Sequence, residues 1–416
     1  MTAQRSETTA ALAISSSSGG RIRLLVVLAG LSGVSPLATD MYIPALPDMA
    51  ASLGTDASGA QLSLTGFLAG IIVGQLVLGP LSDTVGRRPV LLWGTLGFAT
   101  LSVVCALAPT MAVLDIARCG QGISGGAGIV VARAVIADLF AGRDLAITYS
   151  RLSAIGAAAP VLAPLAGGVL LLIIPWRGLF IALAIVGVLL GVGVWRWVPE
   201  SHPPHARLSG GMTAGLRGIG GLVARGRVLG PALAISFGGA AVFTYVAGTT
   251  FVFQDIYHLG PTASSMVYGV NAVGNMMGSL AYGRLVKHRS PETLLVASAA
   301  LALTGPTLLL LTTVTIGSPM GVTWCCLLLS ITAFGAFFPA VVTIGQQRGR
   351  AAPGATSALL GGGQFLFGAV ASPTVGLFGT HSPAPMAAIL VITLALATVA
   401  AVATARHQDR VSTPRS

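Results

Sequence analysis

Charge is what this sequence has least of. Only 8% of its 416 residues are Asp, Glu, Lys or Arg, where a soluble domain carries about 25%. So few charges cannot coat a water-soluble globule of this size; in lipid no such coat is needed. Lysine is nearly missing, with 1 residue against 22 arginines, and alanine and glycine abound; the bias suggests a GC-rich bacterial genome. The cysteines (Cys105, Cys119, Cys325 and Cys326) all lie in apolar segments. They form no C-x-x-C pair, so they read as packing residues and imply neither a disulfide framework nor a metal site. There is no Walker motif, His-rich cluster, Cys–His pair or Ser/His/Asp constellation. That argues against an enzyme, against ATP hydrolysis within this chain and against a bound cofactor.

What the sequence does have is apolar length. It is 54% hydrophobic, with a mean hydropathy of +0.85. About 20 residues cross a hydrocarbon core, and twelve stretches are long enough: 24–46, 58–81, 89–108, 111–136, 146–172, 176–198, 229–253, 262–286, 292–314, 319–345, 354–378 and 384–404. The net charge of +11 would suggest nucleic acid in a soluble protein; here the positive-inside rule is the better reading. Arginines collect in the N-terminus (Arg5, Arg21, Arg23), the second loop (Arg87, Arg88), the fourth (Arg143, Arg151) and the sixth (Arg207, Arg217, Arg225, Arg227). They recur in the eighth (Arg284, Arg289, with Lys287), the tenth (Arg348, Arg350) and the tail. Odd-numbered loops hold almost none, Arg177 being the exception. Both termini are therefore expected in the cytoplasm of a bacterium, with the chain multi-pass in its cytoplasmic membrane. Residues 1–20, rich in Ser, Thr and Ala, read as disordered. The apolar stretch after them is too long, and too poor in a cleavage site, for a removed signal peptide.

The longest internal polar stretch, 199–228, divides the spans six and six. The expected organisation is a disordered start (1–20), a first six-helix half (21–198), a cytoplasmic linker (199–228), a second half (229–404) and a cytoplasmic tail (405–416). Transporter folds are often built from such repeats. Gly278-Ser279-Leu280-Ala281-Tyr282-Gly283-Arg284, after the eighth span, looks like a worn copy of Gly79-Pro80-Leu81-Ser82-Asp83-Thr84-Val85-Gly86-Arg87-Arg88, after the second.

The spacing G-x-L-x-D-x-x-G-R-R at 79–88 closely resembles the loop signature of the major facilitator superfamily. Three further segments narrow the resemblance: Ala38-Thr39-Asp40-Met41-Tyr42-Ile43-Pro44-Ala45-Leu46-Pro47, Arg118-Cys119-Gly120-Gln121-Gly122, and the run 156–168 that contains Pro160 and Pro164. Together they resemble the twelve-span drug:proton antiporters, most closely the bicyclomycin/chloramphenicol-resistance (Bcr/CflA) type. The resemblance implies an all-α membrane protein with the major facilitator fold, twelve transmembrane helices in two halves, and a monomer. It also implies proton-driven export of amphipathic small molecules similar to chloramphenicol or bicyclomycin. A departure is Ala163, where the span-five signature usually has glycine, and another is Tyr282 in place of an acid. The runner-up reading is a transporter of a specific metabolite, such as an amino acid or sugar.

Coupling to protons needs a group that changes charge within the membrane, and the 12 acids allow an exhaustive search. Most lie in tails, loops or at the cytoplasmic rim; Asp40, Asp115 and Asp255 remain. Asp40 lies about 24 Å into the first span at 1.5 Å per residue. An acid at that depth is costly and functional by default. Burial favours its neutral form and a neighbouring cation its charged form, so an acid held between them can exchange a proton. Arg118, at similar depth in span four, is the natural partner, with Gln121 one turn further on the same face. The resemblance associates that arginine with proton coupling. Asp115 could neutralise Arg118 instead, and Asp255 reads as facing the outer loop. The plainer readings are a capped helix end for Asp40 and a snorkelling interface side chain for Arg118.

Asp83 ends a helix, where an acid is unfavourable without a cation; Arg87 and Arg88 can reach it or nearby helix ends. The resemblance implies a cytoplasmic gate of Gly79, Asp83, Gly86, Arg87, Arg88 and Asp138, where the plainer reading is loop anchoring. In span five, Gly156, Gly167 and Gly168 with Pro160 and Pro164 read as a packing hinge, and the resemblance adds that this motif typifies exporters. A substrate region near the bilayer midplane is drawn from Tyr42, Gln121, Tyr245, Tyr268, Asn271, Asn275, Phe334, Phe338 and Gln364. Aromatic walls with a few amides suit bulky amphipathic ligands. The stripe Tyr268/Asn271/Asn275 stands out, because unpaired amides in lipid are costly.

Overall fold

The structure, a computed structural model, describes residues 18–42, 45–55, 57–207, 211–224, 226–259, 261–371, 374 and 382–412. Regular structure among them is entirely helical. Helix α1 (Ser18–Asp40) and the short α2 (Leu46–Leu53) precede α3 (Ala57–Val85), α4 (Arg87–Ala106), α5 (Met111–Leu139), α6 (Gly142–Leu171) and α7 (Trp176–Trp197). Then come α8 (Gly211–Ala224), α9 (Leu229–Phe251), α10 (Pro261–Leu285), α11 (Pro291–Thr315), α12 (Met320–Arg348), α13 (Pro353–Ala371) and α14 (Ala384–Ser412).

The long helices fall on the apolar stretches read from the sequence. The largest displacement is α1, expected at 24–46 and found at 18–40. A proline ring clashes with the carbonyl four residues before it; for Pro44 that is the carbonyl of Asp40, where α1 stops. Pro47 instead opens α2, in whose first turn a missing N–H costs nothing. Residues 18–20, expected to be disordered, already belong to α1, and the rest of that segment lies outside the described residues. The linker contains α8, and α14 continues into the expected tail.

Among the described residues, 9 helices are long and apolar enough to cross a membrane. The other long ones are α6, which carries Arg143, Asp144 and Arg151 in its first turns, α10 with Asn271 and Asn275, and α13.

The chain divides into two compact units. Unit 1 is residues 1–140, 159–221 and 350–362; unit 2 is 141–158, 222–349 and 363–416. In unit 1, α3 packs on α5, α4 on α5 and α7, and α1 on α5 and α7. In unit 2, α10 packs on α12, α11 on α12 and α14, and α9 on α12 and α14. The second set is the first displaced by six long helices. The α3–α5 seam shows why glycine recurs: a Cβ at Gly70 would run into the carbonyl of Cys119, and one at Gly122 into that of Phe67. Small residues at four-residue spacing let two backbones touch. Each unit also takes a helix start from the other half of the sequence. The first turns of α13 belong to unit 1, and the first half of α6 belongs to unit 2, where the Ser150 hydroxyl donates to the Ser279 carbonyl.

Candidate functional site

The first cluster lies in unit 1, around α5. Its 3.6-residue period sets Arg118 and Gln121 on one side, facing the last turn of α1. Arg118 is 0% exposed. Its guanidinium donates to Gln121 Oε1 at 2.8 Å and to the Ala38 carbonyl at 3.1 Å. Gln121 Nε2 donates to Ser102 Oγ at 2.6 Å, and the Ser102 hydroxyl in turn donates a hydrogen bond to the Phe98 carbonyl. The rings of Phe67, Tyr42 and Phe180 surround the guanidinium, with centroids 4.2, 4.4 and 5.8 Å from its central carbon. Aromatic faces attract a cation through their quadrupoles, so the charge is held without being neutralised.

Arg118 forms no ion pair among the described residues, and its Nε has no hydrogen-bond partner. The expected pairing of Asp40 with Arg118 is therefore not formed. Asp40 is the half-buried last residue of α1, and Arg118 instead holds a carbonyl in that same turn, where a cation offsets the negative helix end. Asp115 does not neutralise Arg118 either; it is half-buried one turn earlier, with Oδ1 unpartnered. Tyr42 and Gln121, expected to meet substrate, are buried in support of the arginine, and the Tyr42 hydroxyl pairs with Ser63 Oγ at 3.1 Å. The side chain of Asp255 lies outside the described residues. Arg177, the exception to the charge asymmetry, donates to the Ala108 carbonyl just past α4 and stacks on Trp176.

The second cluster, also in unit 1, is built on the turn between α3 and α4. Arg87 is 0% exposed and bridges two acids, Asp83 at 2.7 Å and Asp138 at 3.0 Å. It also donates to Ser82 Oγ at 2.6 Å. Asp83 accepts two backbone N–H bonds from the first turn of α13, from Gly354 at 2.9 Å and Ala355 at 2.7 Å. A carboxylate at a helix N-terminus satisfies orphan donors and faces the positive end of the helix dipole. The contact leaves no room for a Cβ at Gly79, which would meet the Gly354 carbonyl, Ala358 and Val130. Gly86 takes φ 113°, and a side chain there would also strike Glu200 and Arg207 at 2.6 Å. Arg88 turns away to the Trp195 carbonyl at the end of α7.

Sequence reasoning missed Glu200, which it left as a loop acid. Its carboxylate caps the start of α4 through the N–H groups of Arg87 (2.9 Å) and Arg88 (3.3 Å). Ser201 Oγ donates to Asp138 at 2.8 Å. The available signal was a single acid directly after an apolar span in an arginine-rich stretch. His202 completes the cluster, with Nε2 buried and unpartnered. Burial, reinforced by the Arg87 charge, pushes its imidazole below the ordinary histidine range, against the opposing pull of Asp138, Asp83 and Glu200.

In unit 2 the amide stripe is spent on internal bonds. Asn271 donates to the Tyr245 hydroxyl at 2.6 Å and accepts from Trp324 Nε1 at 3.1 Å. Asn275 donates to the Ile331 carbonyl, and Tyr268 to the Val246 carbonyl. Phe334 is buried and Phe338 half-buried, with ring centroids 6.4 Å apart. Gln364 keeps a buried, unpartnered Oε1. The cavity lined by Tyr245, Ile331 and Phe334 is about 10 Å³, room for one water at most. Each member of the stripe therefore makes at least one bond inside unit 2.

Of the three glycines in the span-five segment, Gly167 alone is closely packed among the described residues. A Cβ at Gly167 would overlap the Met41 carbonyl, whereas Gly156 and Gly168 have open space around them among the described residues. The rings of Pro160 and Pro164 lie outside the described side chains.

Residues 28–373 match the model of the Major Facilitator Superfamily. An uncharacterized MFS-type transporter of Bacillus subtilis, YdgK, is 35% identical over 91% of this chain and 94% of its own length. A bicyclomycin resistance protein homolog of Haemophilus influenzae is 28% identical over 87% and 91%. The multidrug resistance protein D of Escherichia coli is 35% identical, over 45% of this chain and 48% of its own. Among solved structures, the proton:xylose symporter XylE superposes with a TM-score of 0.74 at 17% identity, covering 92% of this chain and 95% of that one. That likeness speaks for the fold alone.

Proposed function

This chain belongs to the major facilitator superfamily, and from that premise we propose that it exports amphipathic, drug-like small molecules in exchange for protons. Members of the family are multi-pass membrane transporters, not enzymes, and need no cofactor. The proposal includes twelve membrane-spanning helices, with α6, α10 and α13 joining the nine apolar enough to qualify, and both termini in the cytoplasm of a bacterial inner membrane. The drug-like substrate class is supported by relatives named for bicyclomycin, chloramphenicol and multidrug resistance.

One observation carries the proton reading. Arg118 is a fully buried cation without an ion pair among the described residues, bonded to the last turn of the helix that ends in Asp40. Any negative charge brought to it is stabilised strongly in a low-dielectric site. Loss of a proton from Asp40 or Asp115 then changes the energy of the whole cluster, and that differential energy is what coupling requires. In the same reading, the Asp83–Arg87–Asp138 cluster is a latch on the first turn of α13 that breaks and re-forms in each cycle. The deciding experiment expresses the protein in bacteria lacking their own drug pumps. Chloramphenicol or fluorescent-dye efflux should collapse when an uncoupler dissipates the proton gradient. Efflux that ignores the uncoupler overturns antiport. Uptake of an amino acid or sugar without drug efflux would establish the metabolite reading.

A further inference from the structure

Gln75 is a buried amide that nothing in the protein satisfies. It is 0% exposed, and both its Oε1 and its Nε2 are without a hydrogen-bond partner among the described residues. It stands near the middle of the apolar run 62–85 of α3, about 12 Å before Asp83 at 1.5 Å per residue. A buried polar group left unpaired is costly, and one in the middle of a helix seam needs a reason. Two other helices come close to it. A Cβ at Gly126 of α5 would lie 3.1 Å from the backbone nitrogen of Gln75, and a Cβ at Gly361 of α13 would overlap Gln75 Oε1. Arg133, two turns beyond Gly126 on α5, is 7% exposed, and its Nη1 lies 3.3 Å from that same position at Gly361. An amide and a guanidinium thus flank one bare stretch of α13, all within unit 1. Asp83 grips Gly354 and Ala355, two turns nearer the start of that helix.

We propose that Gln75 and Arg133 form a subsite for an oxygen-acceptor group of the transported molecule, neutral or anionic, which takes the place of Gly361 when the latch lets go. The Gln75 amide brings two N–H donors and one acceptor. A guanidinium brings five donors, enough to serve a ligand beside the bonds it makes inside the protein. A donor-rich pair with one positive charge matches nitro, amide or carboxylate oxygens and repels a permanent cation. The depth of Gln75 also suits a fold whose members bind near the bilayer midplane. Ligand and Gly361 compete for the same two side chains, so an occupied subsite holds the latch open. The inference rests on the exporter reading for what is carried, but its test is binding at equilibrium, with no proton gradient.

The purified full chain in nanodiscs is titrated with chloramphenicol, with the carboxylate drug nalidixate and with tetraphenylphosphonium, a cation that accepts no hydrogen bond. At least one of the two acceptor probes should bind. Q75M should weaken that binding by about tenfold or more, the loss of a hydrogen-bonded contact. The thermal midpoint of ligand-free Q75M should stay at or above the wild-type value, since methionine fills similar space with no polar atom to satisfy. R133Q should weaken the acceptor probes likewise and shift the preference toward tetraphenylphosphonium. A wild type that binds neither acceptor probe overturns the subsite. So does Q75M at wild-type affinity, or a loss shared equally by the cation. Should Q75M not fold, Q75N decides: its amide falls one methylene short of the ligand, and undiminished affinity overturns the proposal. Binding that depends on Gln75 in a protein that exports nothing against a gradient keeps the subsite and removes antiport instead.

Discussion

Arg118 is held by shape as much as by charge. A planar guanidinium can stack on Tyr42 and Phe67 while donating to Gln121 and Ala38 at once; an ammonium cannot reproduce that set. R118K should therefore lose uphill export by at least about tenfold, roughly 1.4 kcal/mol, although its charge is kept. Wild-type rates in membrane vesicles would show that the aromatic cage has no role. Comparing D40N with D115N assigns the proton: the acid whose amide variant loses uphill transport but keeps downhill exchange is the carrier. At the second cluster, D83N removes one counter-charge of a buried arginine, a change that costs about 3–5 kcal/mol in buried pairs. Its expected signature is slow turnover with substrate binding nearly unchanged. His202 sets a pH dependence. Its folded pKa lies below the unfolded value of about 6.5, so the unfolded chain takes up the proton first and stability falls as pH drops through that value. The drop in thermal midpoint between pH 7.5 and 5.5 should be smaller in H202Q; equal drops would remove His202 from the account.

At the scale of helices, the same reasoning separates glycines that look alike in the sequence. G167A forces a methyl onto the Met41 carbonyl and should cost about 1–3 kcal/mol, whereas G156A and G168A meet open space. Thermal midpoints of the three variants check this, and equal losses would refute the distinction. Most helix limits were legible because apolar runs and polar breaks mark them in one dimension. The end of α1 was legible too, had Pro44 been given its full weight. Arg118 does reach the last turn of α1, at the Ala38 carbonyl, but it makes no ion pair with Asp40 among the described residues; Arg118 and Gln121, placed by spacing within one helix, meet directly. Glu200 and Arg87 are separated by 113 positions, and nothing local in either segment announces their meeting. For the amide stripe of α10, periodicity put Asn271 and Asn275 on one face but could not say that Tyr245, Trp324 and the Ile331 carbonyl would be their partners.

At the scale of the molecule, the sequence suggested a chain cut cleanly at 199–228, while the compact units include 350–362 in one and 141–158 in the other. This bears on biogenesis. A ribosome delivers the chain in order, and Arg87, Asp138 and Glu200 can gather as soon as α7 is complete. The two N–H groups that satisfy Asp83 belong to residues synthesised 271 and 272 positions later. Until then the newborn first half carries a charged turn with an unfilled berth, open to whichever membrane chaperone or protease reaches it first. A gene split at the linker should yield stable protein only when both pieces are made together.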